Sequence, residues 1–117
     1  MPSGVEFALV IPVHNEERYL PTVIDSLRLQ TAADVPIVFV NNGSTDQSLA
    51  LLRQCAEVQT GRWIRIEEPS VGKFSAMAAG TNFCAQRLGA RYVGFLDADS
   101  YCAETNWLQT HADILAR

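Results

Sequence analysis

The chain has 117 residues, of which 48% are hydrophobic and 19% are charged, and its formal net charge is −4 at pH 7. This composition is typical of one ordered globular domain and excludes a disordered chain. The acidic balance also argues against nucleic acid as a partner, because a nucleic-acid surface needs clustered Lys and Arg.

Four short apolar runs are predicted to be β-strands. They are rich in β-branched and aromatic residues, and their hydrophobicity is nearly continuous rather than alternating, which is typical of strands buried on both faces of a sheet. In chain order these runs are Val5–Pro12, Val35–Val40, Trp63–Ile66 and Tyr92–Leu96.

Helical patterns follow the strands, with apolar residues three and four positions apart. The residues expected to be buried are Leu20, Val23, Ile24 and Leu27 in the first helix, Leu49, Leu52 and Ala56 in the second, Phe74, Met77, Ala78, Thr81, Cys84, Ala85 and Leu88 in the third, and Trp107, Leu108, Ile114 and Leu115 in the last. The segment Ser44–Gln47 is predicted to be a capping box that opens the second helix.

The alternation of strands and helices predicts an α/β fold. Successive strands are separated by about thirty residues, the usual size of a β-α-β unit. We therefore predict a Rossmann-like three-layer sandwich with a mostly parallel sheet and right-handed crossovers. No linker or repeat divides residues 1–117, so a single domain is expected.

Polar clusters are predicted to lie at one edge of this sheet. In open α/β sheets, ligands bind beyond the carboxyl ends of the strands. The clusters that follow the four strands are 14–17, 41–43, 72–73 and 97–99. Their convergence predicts a ligand site at that edge.

The segment Asp97-Ala98-Asp99 is a candidate metal site. Residues two apart in an extended chain point the same way, so both carboxylates could face one ligand. Mg²⁺ and Mn²⁺ favour carboxylate oxygens and are typically bound by one or two carboxylates together with substrate phosphates. The alternative is a solvated acidic loop, because such pairs also occur by chance.

Three other polar residues have two interpretations each. Asn42 offers an amide that suits the edge of a nucleobase, or it forms a turn. Lys73 suits a diphosphate, or it is a solvated lysine at a helix start. His14 lacks a nucleophile or metal-ligand partner, so a role as a loop or cap residue is its alternative.

As a set, four segments resemble the inverting glycosyltransferases of family 2, which have the GT-A fold. The segments are VIPVHNEE (10–17), VNNGSTD (40–46), VGKFSAMAAG (71–80) and FLDADS (95–100). They come in the family's order and spacing, and they cover nearly the whole chain. Two positions depart from the family's pattern, which usually has an acidic residue at Asn42 and often an asparagine at Ala78.

The resemblance implies a role for each matched residue. Residues of the first loop would line the pocket of the nucleotide base, with Asn42 at the base edge. Lys73 would lie near the base or phosphates, Asp97 near the ribose or sugar, and Asp99 would hold the cation. The candidate nucleotide-sugar-binding residues are Pro12, His14, Glu16, Asn42, Lys73, Asp97, Ala98 and Asp99.

The implied activity is transfer of a sugar from a nucleotide-sugar donor, UDP-linked by this resemblance, to an acceptor with inversion. The implied cofactor is Mg²⁺ or Mn²⁺, bound by Asp97 and Asp99. The general base of such enzymes lies well downstream, so these residues are expected to be the donor-binding part of a truncated catalytic domain. The fragment is expected to bind the donor without transferring sugar, and to self-associate through the apolar surface that truncation exposes.

Two alternatives remain. A sugar-phosphate nucleotidyltransferase would need a Gly-rich first loop with Arg or Lys, whereas this chain has Pro-Val-His-Asn-Glu-Glu there. A non-catalytic nucleotide-binding domain would have the same pocket without turnover.

The cysteines and the N-terminal segment indicate the cellular compartment of the protein. Cys55, Cys84 and Cys102 are odd in number and form no C-x-x-C pair, so all three thiols are expected to be reduced. No targeting signal is predicted, and no apolar run approaches the roughly 18 to 20 residues that cross a bilayer. We therefore predict a cytoplasmic location, at the inner membrane face if a longer native chain is anchored.

Overall fold

The computed structural model of the chain describes residues 5–30, 34–58, 63–99 and 109–110. Its elements are β1 (Phe7–Val13), α1 (Leu20–Arg28), β2 (Ile37–Asn41), α2 (Ser48–Cys55), β3 (Glu57–Val58), β4 (Trp63–Glu67), α3 (Lys73–Phe83) and β5 (Tyr92–Phe95). A π-helical turn, Cys84–Leu88, continues α3. The predicted last helix, apart from residues 109–110, lies outside the described residues.

The five strands form one sheet in the order β3-β4-β2-β1-β5, and every pair in it is parallel. This arrangement confirms the predicted α/β class. The four predicted strands are present with bounds shifted by one or two residues. The edge strand β3 was not predicted, because two residues are too few to show a periodic pattern.

Alternate residues of the central strands point to opposite faces of the sheet, and helices cover both faces. On one face, Leu9 and Ile11 of β1 pack in a core cluster with residues of α1 and α2. On the other face, Ala8 and Val10 pack in a second cluster with residues of α3. The molecule therefore has the predicted three layers, and both faces of β1 are buried.

In the first two helices, most of the apolar residues that were predicted to be buried are buried. Leu20, Val23, Ile24 and Leu27 of α1 are all buried. Leu52 is the buried leucine of α2, while Leu49 is only partly buried. The residue that follows α2, Ala56, is also buried.

The capping-box prediction was wrong. Helix α2 begins at Ser48, and its N-cap residue, Gln47, makes no side-chain capping hydrogen bond, while Asp46 Oδ1 accepts from the backbone N–H of Ser48 at 2.8 Å. The Ser44 hydroxyl instead accepts a hydrogen bond from the backbone N–H of Asn15, in the loop after β1. The reason is tertiary, because a neighbouring loop supplies the donor that the box would have supplied locally.

The predicted buried face of α3 was also wrong in the first turns of the helix, although Cys84, at the start of the π-helical turn, is buried as predicted. Phe74 is 86% exposed and Ala78 is exposed, whereas Ala76, Gly80 and Phe83 are buried. Small residues face the sheet because α3 lies very close to it. A methyl group added at Gly80 would come within 2.4 Å of a Val10 side-chain carbon.

The lengths of the helices and the state of the cysteines bear on the predicted cellular compartment. No helix within the described ranges is long and apolar enough to cross a membrane. Cys55 and Cys84 are free thiols, and Cys102 lies outside the described residues. Burial raises the pKa of the Cys84 thiol to about 11, so this thiol stays protonated at neutral pH.

Candidate functional site

A cavity of about 340 Å³ opens at the carboxyl edge of the sheet, within the size range of small-ligand sites. Residues from four separate segments of the chain line it. They are Pro12, Val13, His14, Glu16, Asn42, Val71, Gly72, Lys73, Asp97, Ala98 and Asp99. All eight predicted site residues are in this lining. Gly72 was predicted to lie at this edge with Lys73 but was not assigned as a site residue, and Val13 and Val71 were not predicted, since apolar side chains carry no polar chemistry that would mark them.

The loops that follow β1 and β2 are tied together through Asn15. This residue has a positive φ of 53°, a conformation that Asn tolerates better than most residues. Its side-chain Oδ1 accepts hydrogen bonds from the backbone N–H groups of Thr45 at 2.7 Å and Asp46 at 3.3 Å. Asn15 belongs to the predicted polar cluster 14–17, but its role in joining two loops was not predicted, although a residue tolerant of positive φ just after a strand was a usable signal.

Two more hydrogen bonds join the same loops. The backbone N–H of Glu16 donates to the Ser48 hydroxyl at 2.8 Å, and that of Glu17 donates to Asp46 Oδ2 at 3.2 Å. These contacts fix the backbone on either side of the pocket. The side chains of His14 and Glu16 therefore project from a loop that is held at several points.

The contact made by His14 defines its tautomer. Its Nδ1 lies 2.7 Å from the backbone carbonyl oxygen of Asn42. A carbonyl oxygen only accepts, so Nδ1 carries the proton, and Nε2 of the neutral ring is an acceptor. His14 lines the cavity and can therefore offer a hydrogen-bond acceptor to a ligand.

The Asn42 side chain is 2% exposed and is occupied by contacts within the chain. Its Nδ2 donates to the carbonyl oxygens of Glu68 and Ser70, both at 2.8 Å, and its Oδ1 accepts from the N–H of Gly72 at 2.9 Å. Both amide hydrogens are used, so neither is left for a nucleobase in this arrangement. The contacts support the alternative interpretation, in which Asn42 shapes the loop.

Lys73 and Asp97 form an ion pair across the cavity. The Lys73 Nζ lies 2.7 Å from Asp97 Oδ1, and the two side chains are 60% and 54% exposed. The hydrogen bond to Asp97 and its charge, with a further contribution from Asp99, raise the pKa of the lysine. Lys73 is the first residue of α3, where the helix dipole disfavours a cation, so the carboxylates offset that effect.

The cavity carries more negative than positive charge. Glu16, Asp97 and Asp99 are carboxylates in its lining, and Lys73 is the lining residue with a permanent positive charge. Burial raises the pKa of Glu16, and the charges of Asp99, Asp46 and Asp97 raise it further, against a lowering by His14. An anionic ligand would therefore enter this cavity more readily together with a cation.

The carboxylate oxygens of the cavity fit a hard divalent cation that takes its other ligand oxygens from a phosphate. Asp97 and Asp99 both line the cavity, as the predicted metal site requires. Within the described part of the chain, no group of three or more His, Cys, Asp or Glu residues could hold a metal by itself. Mg²⁺ is commonly bound in proteins by one or two carboxylates with substrate phosphates completing its shell.

Curated relatives are similar to most of this chain. A Streptococcus pneumoniae protein named "Glycosyltransferase GlyA" is 32% identical over 105 residues, which are 90% of this chain and 14% of that protein. A Mycobacterium bovis "PGL/p-HBAD biosynthesis glycosyltransferase" is 32% identical over 111 residues, which are 95% of this chain and 39% of that protein. The chain thus spans well under half the length of these relatives.

Solved structures share the fold. The crystal structure of S. aureus TarS 1-349 has a TM-score of 0.73 at 21% identity, over 96% of this chain and 32% of that one. The same protein in complex with UDP-GlcNAc has a TM-score of 0.72 at 21% identity, over 96% of this chain and 31% of that one.

The family comparison covers almost the full length. The family described as "Glycosyl transferase family 2" matches residues 8–117, which include every segment that lines the cavity. The chain belongs to glycosyltransferase family 2.

Proposed function

We propose that this chain is the donor-binding part of an inverting glycosyltransferase that takes a sugar from a UDP-linked donor. The observation that carries the proposal is that four separate segments bring all eight candidate residues to one cavity at the carboxyl edge of the sheet. The structural neighbour TarS was solved with UDP and with UDP-GlcNAc, which supports a uridine nucleotide here. The acceptor is left open.

The charges in the cavity support a role for Mg²⁺ or Mn²⁺. Asp97 and Asp99 would hold the cation, with the donor diphosphate supplying further oxygens. When bound, the cation neutralises the negative charge that builds on the departing nucleoside diphosphate. Lys73 carries a positive charge beside the same two carboxylates and is the candidate contact for a phosphate oxygen.

The base would be read by His14 rather than by Asn42. When the His14 ring is neutral, it presents Nε2 as an acceptor, and the imide N–H of uracil is a donor. Val71 supplies an apolar side chain to the lining of the same cavity, which is the character that the faces of a base require. Asn42 acts indirectly, because its amide holds the loop that carries Val71 and Gly72.

The transfer step would be an in-line displacement at the anomeric carbon by an acceptor hydroxyl. Inversion needs a general base that takes the proton of this hydroxyl as it attacks. We assign that base to the part of the relatives' length that this chain does not span. The roles of this chain are then to bind the donor and to orient its diphosphate.

Calorimetry of UDP, with Mn²⁺ and with EDTA, tests the proposal. We expect binding that needs Mn²⁺ and that is lost in Asp99→Ala. Asp25→Ala is the matched control, because Asp25 is an exposed carboxylate of α1 outside the cavity lining. Equal UDP affinity in the wild type and Asp99→Ala would contradict the metal assignment, and no UDP binding under either condition would contradict the donor assignment.

Two proposals concern the surroundings of the protein. We propose a cytoplasmic location, which free Cys55 and Cys84 thiols support. We also propose that the chain self-associates, because Phe74 is 86% and Phe95 is 42% exposed. Analytical ultracentrifugation over a range of concentrations tests the second proposal, which a constant monomer mass would refute.

A further inference from the structure

We propose that Lys73 is an internal counter-cation of the ligand-free pocket and competes with the divalent cation for Asp97. A nucleoside diphosphate would then have to draw the ammonium group away before the cation binds tightly. This inference rests on the proposed function and extends it, because it makes metal binding conditional on the nucleotide. It concerns the order in which the two ligands bind.

The geometry of the ion pair is the first argument. The Lys73 Nζ lies 2.7 Å from Asp97 Oδ1, which is direct contact through a charge-assisted hydrogen bond. Asp97 is one of the two carboxylates assigned to the cation. A divalent cation on that oxygen would face the ammonium group at close range, and the two positive charges repel each other. Lys73 and the cation therefore exclude each other from Asp97.

The surroundings of Lys73 are the second argument. Its side chain is 60% exposed, so it can swing without disturbing the core. The N-terminus of α3 disfavours its charge, and the carboxylates of the cavity are what retain it. A diphosphate entering the same cavity offers a competing set of anionic oxygens. The ammonium can then move to the phosphate and leave Asp97 to the cation.

The consequence is coupling between the two ligands. Without nucleotide, Lys73 weakens the binding of Mn²⁺, and with nucleotide it contributes to the binding of the diphosphate. Lys73→Met removes the charge and keeps the length of the side chain. We expect this variant to bind Mn²⁺ alone about two- to five-fold more tightly than the wild type, which is the range that exposed ion pairs are worth. With UDP present this gain should shrink, because Lys73 then contacts the diphosphate instead of Asp97.

Two controls isolate the charge at this position. Lys73→Arg keeps a cation beside Asp97 and should bind Mn²⁺ as weakly as the wild type. Arg91→Gln breaks another exposed ion pair, between Arg91 and Glu6, at the start of β5 and away from the cavity. It removes the same overall charge from the chain. An Mn²⁺ affinity that rises equally in Arg91→Gln would mean that net charge, rather than Lys73, controls the cation.

The measurement is the concentration of free Mn²⁺ by electron paramagnetic resonance, with and without UDP, in the 117-residue chain. No gain in Mn²⁺ binding by Lys73→Met over the wild type overturns the inference. Asp99→Asn, measured with UDP present, separates this failure from failure of the proposed function. If Asp99→Asn binds Mn²⁺ as tightly as the wild type, the cation site itself is refuted. If Asp99→Asn loses Mn²⁺ binding while Lys73→Met binds Mn²⁺ with the wild-type affinity, only the competition is refuted.

Discussion

Single side chains in the cavity act through partners that lie far away along the sequence. Asn15 joins the first loop to the second, 30 residues later, and Asn42 joins the second loop to the third, 26 to 30 residues later. The two residues together hold three of the four segments that line the cavity. The polar chemistry of Asn is used here to build the site, and the charged residues Glu16, Lys73 and Asp97 remain available to a ligand.

Asn42→Asp tests whether the amide of Asn42 is needed. It installs an acidic residue, as the family pattern usually has, but a carboxylate cannot donate to the carbonyl oxygens of Glu68 and Ser70. Because the buried Asn42 side chain would lose both donated hydrogen bonds and place a carboxylate against two carbonyl oxygens, we expect the free energy of unfolding to fall by about 2 kcal/mol at neutral pH. Urea denaturation measures it. Asn82→Asp, the same change at an exposed position of α3, should have a small effect.

The raised pKa of Glu16 depends partly on Asp99. Burial is its largest cause and the charge of Asp99 the second, so Asp99→Asn should bring the pKa of Glu16 closer to its ordinary value of 4.5 without restoring it. Carbon-13 NMR of the Glu16 carboxyl, titrated with acid, gives this pKa directly. Asp25→Asn, a change at an exposed residue outside the cavity, should leave the pKa of Glu16 at its wild-type value. A Glu16 pKa unmoved by Asp99→Asn would mean that the two carboxylates do not interact.

The same pKa has a consequence for stability. The folded chain binds the Glu16 proton more tightly than the unfolded chain does, because the pKa is raised on folding. The ionised form therefore destabilises the fold, and this effect is absent below pH 4.5 and develops as the pH rises through the folded pKa. Glu16→Gln should be more stable than the wild type at neutral pH and lose that advantage in acid. Thermal unfolding at both pH values checks the sign.

At the scale of the elements, close packing of α3 on the sheet places the start of that helix at the cavity. Gly80 lies against Val10 and Val40. Val40 belongs to β2, the strand that leads to Asn42. The absence of a side chain at Gly80 allows the short distance between helix and sheet. Lys73, two turns earlier in the same helix, is thereby brought to the carboxyl edge within reach of Asp97.

Gly80→Ala tests this close approach. The added methyl group would lie 2.4 Å from Val10 Cγ1 and 3.1 Å from Val40 Cγ2, so something must shift. Overpacking typically costs about 1–3 kcal/mol, against a gain of about 1 kcal/mol in helix propensity, so we expect a net loss of up to about 2 kcal/mol in the free energy of unfolding.

The pair Gly80→Ala with Val10→Ala supplies the control for that prediction. Val10→Ala removes the two carbons nearest to the new methyl group, so the double variant should lose less stability than the sum of the single variants. Additive losses would mean that the methyl group does not meet Val10. A Gly80→Ala variant more stable than the wild type would show that α3 can move away from the sheet.

At the scale of the molecule, this chain corresponds to a small part of longer relatives. It is similar to 14% of the Streptococcus pneumoniae protein and 39% of the Mycobacterium bovis protein. Within the chain, the described residues form three layers with a core cluster on each face of the sheet. We therefore propose that this part binds a donor without the remainder of the relatives' length.

We expect the 117-residue chain to bind donor but not to transfer sugar. No residue of the cavity lining is assigned the role of a base for an acceptor hydroxyl, and Glu104 and Asp113 lie outside the described residues. Released nucleoside diphosphate is measured with a broad acceptor mixture, for this chain and for one extended to the length of its relatives. Acceptor-dependent release by the 117-residue chain alone would contradict the assignment of the base to the part that this chain does not span.

The periodicity of the sequence by itself determined the fold class, the order of the strands along the chain and the position of the candidate site. Short continuous apolar runs rich in β-branched residues are typical of parallel-sheet strands, as β1 and β2 are here, and parallel strands bring their carboxyl ends to one edge. For this reason residues of the polar clusters that follow the strands line one cavity, and the eight site residues that the family resemblance implied are all in its lining.

Only the tertiary structure decided what each of these residues contacts. The buried face of α3 depends on its distance from Val10, because the helix is apolar on several sides and its spacing allows more than one face. The amide of Asn42 and the hydroxyl of Ser44 each find partners in a loop more than 25 residues away. The ion pair between Lys73 and Asp97 likewise joins positions that only the packing of α3 on β1 and β2 brings together. Hydrogen bonds and ion pairs act over a few ångströms, and sequence spacing does not measure that distance.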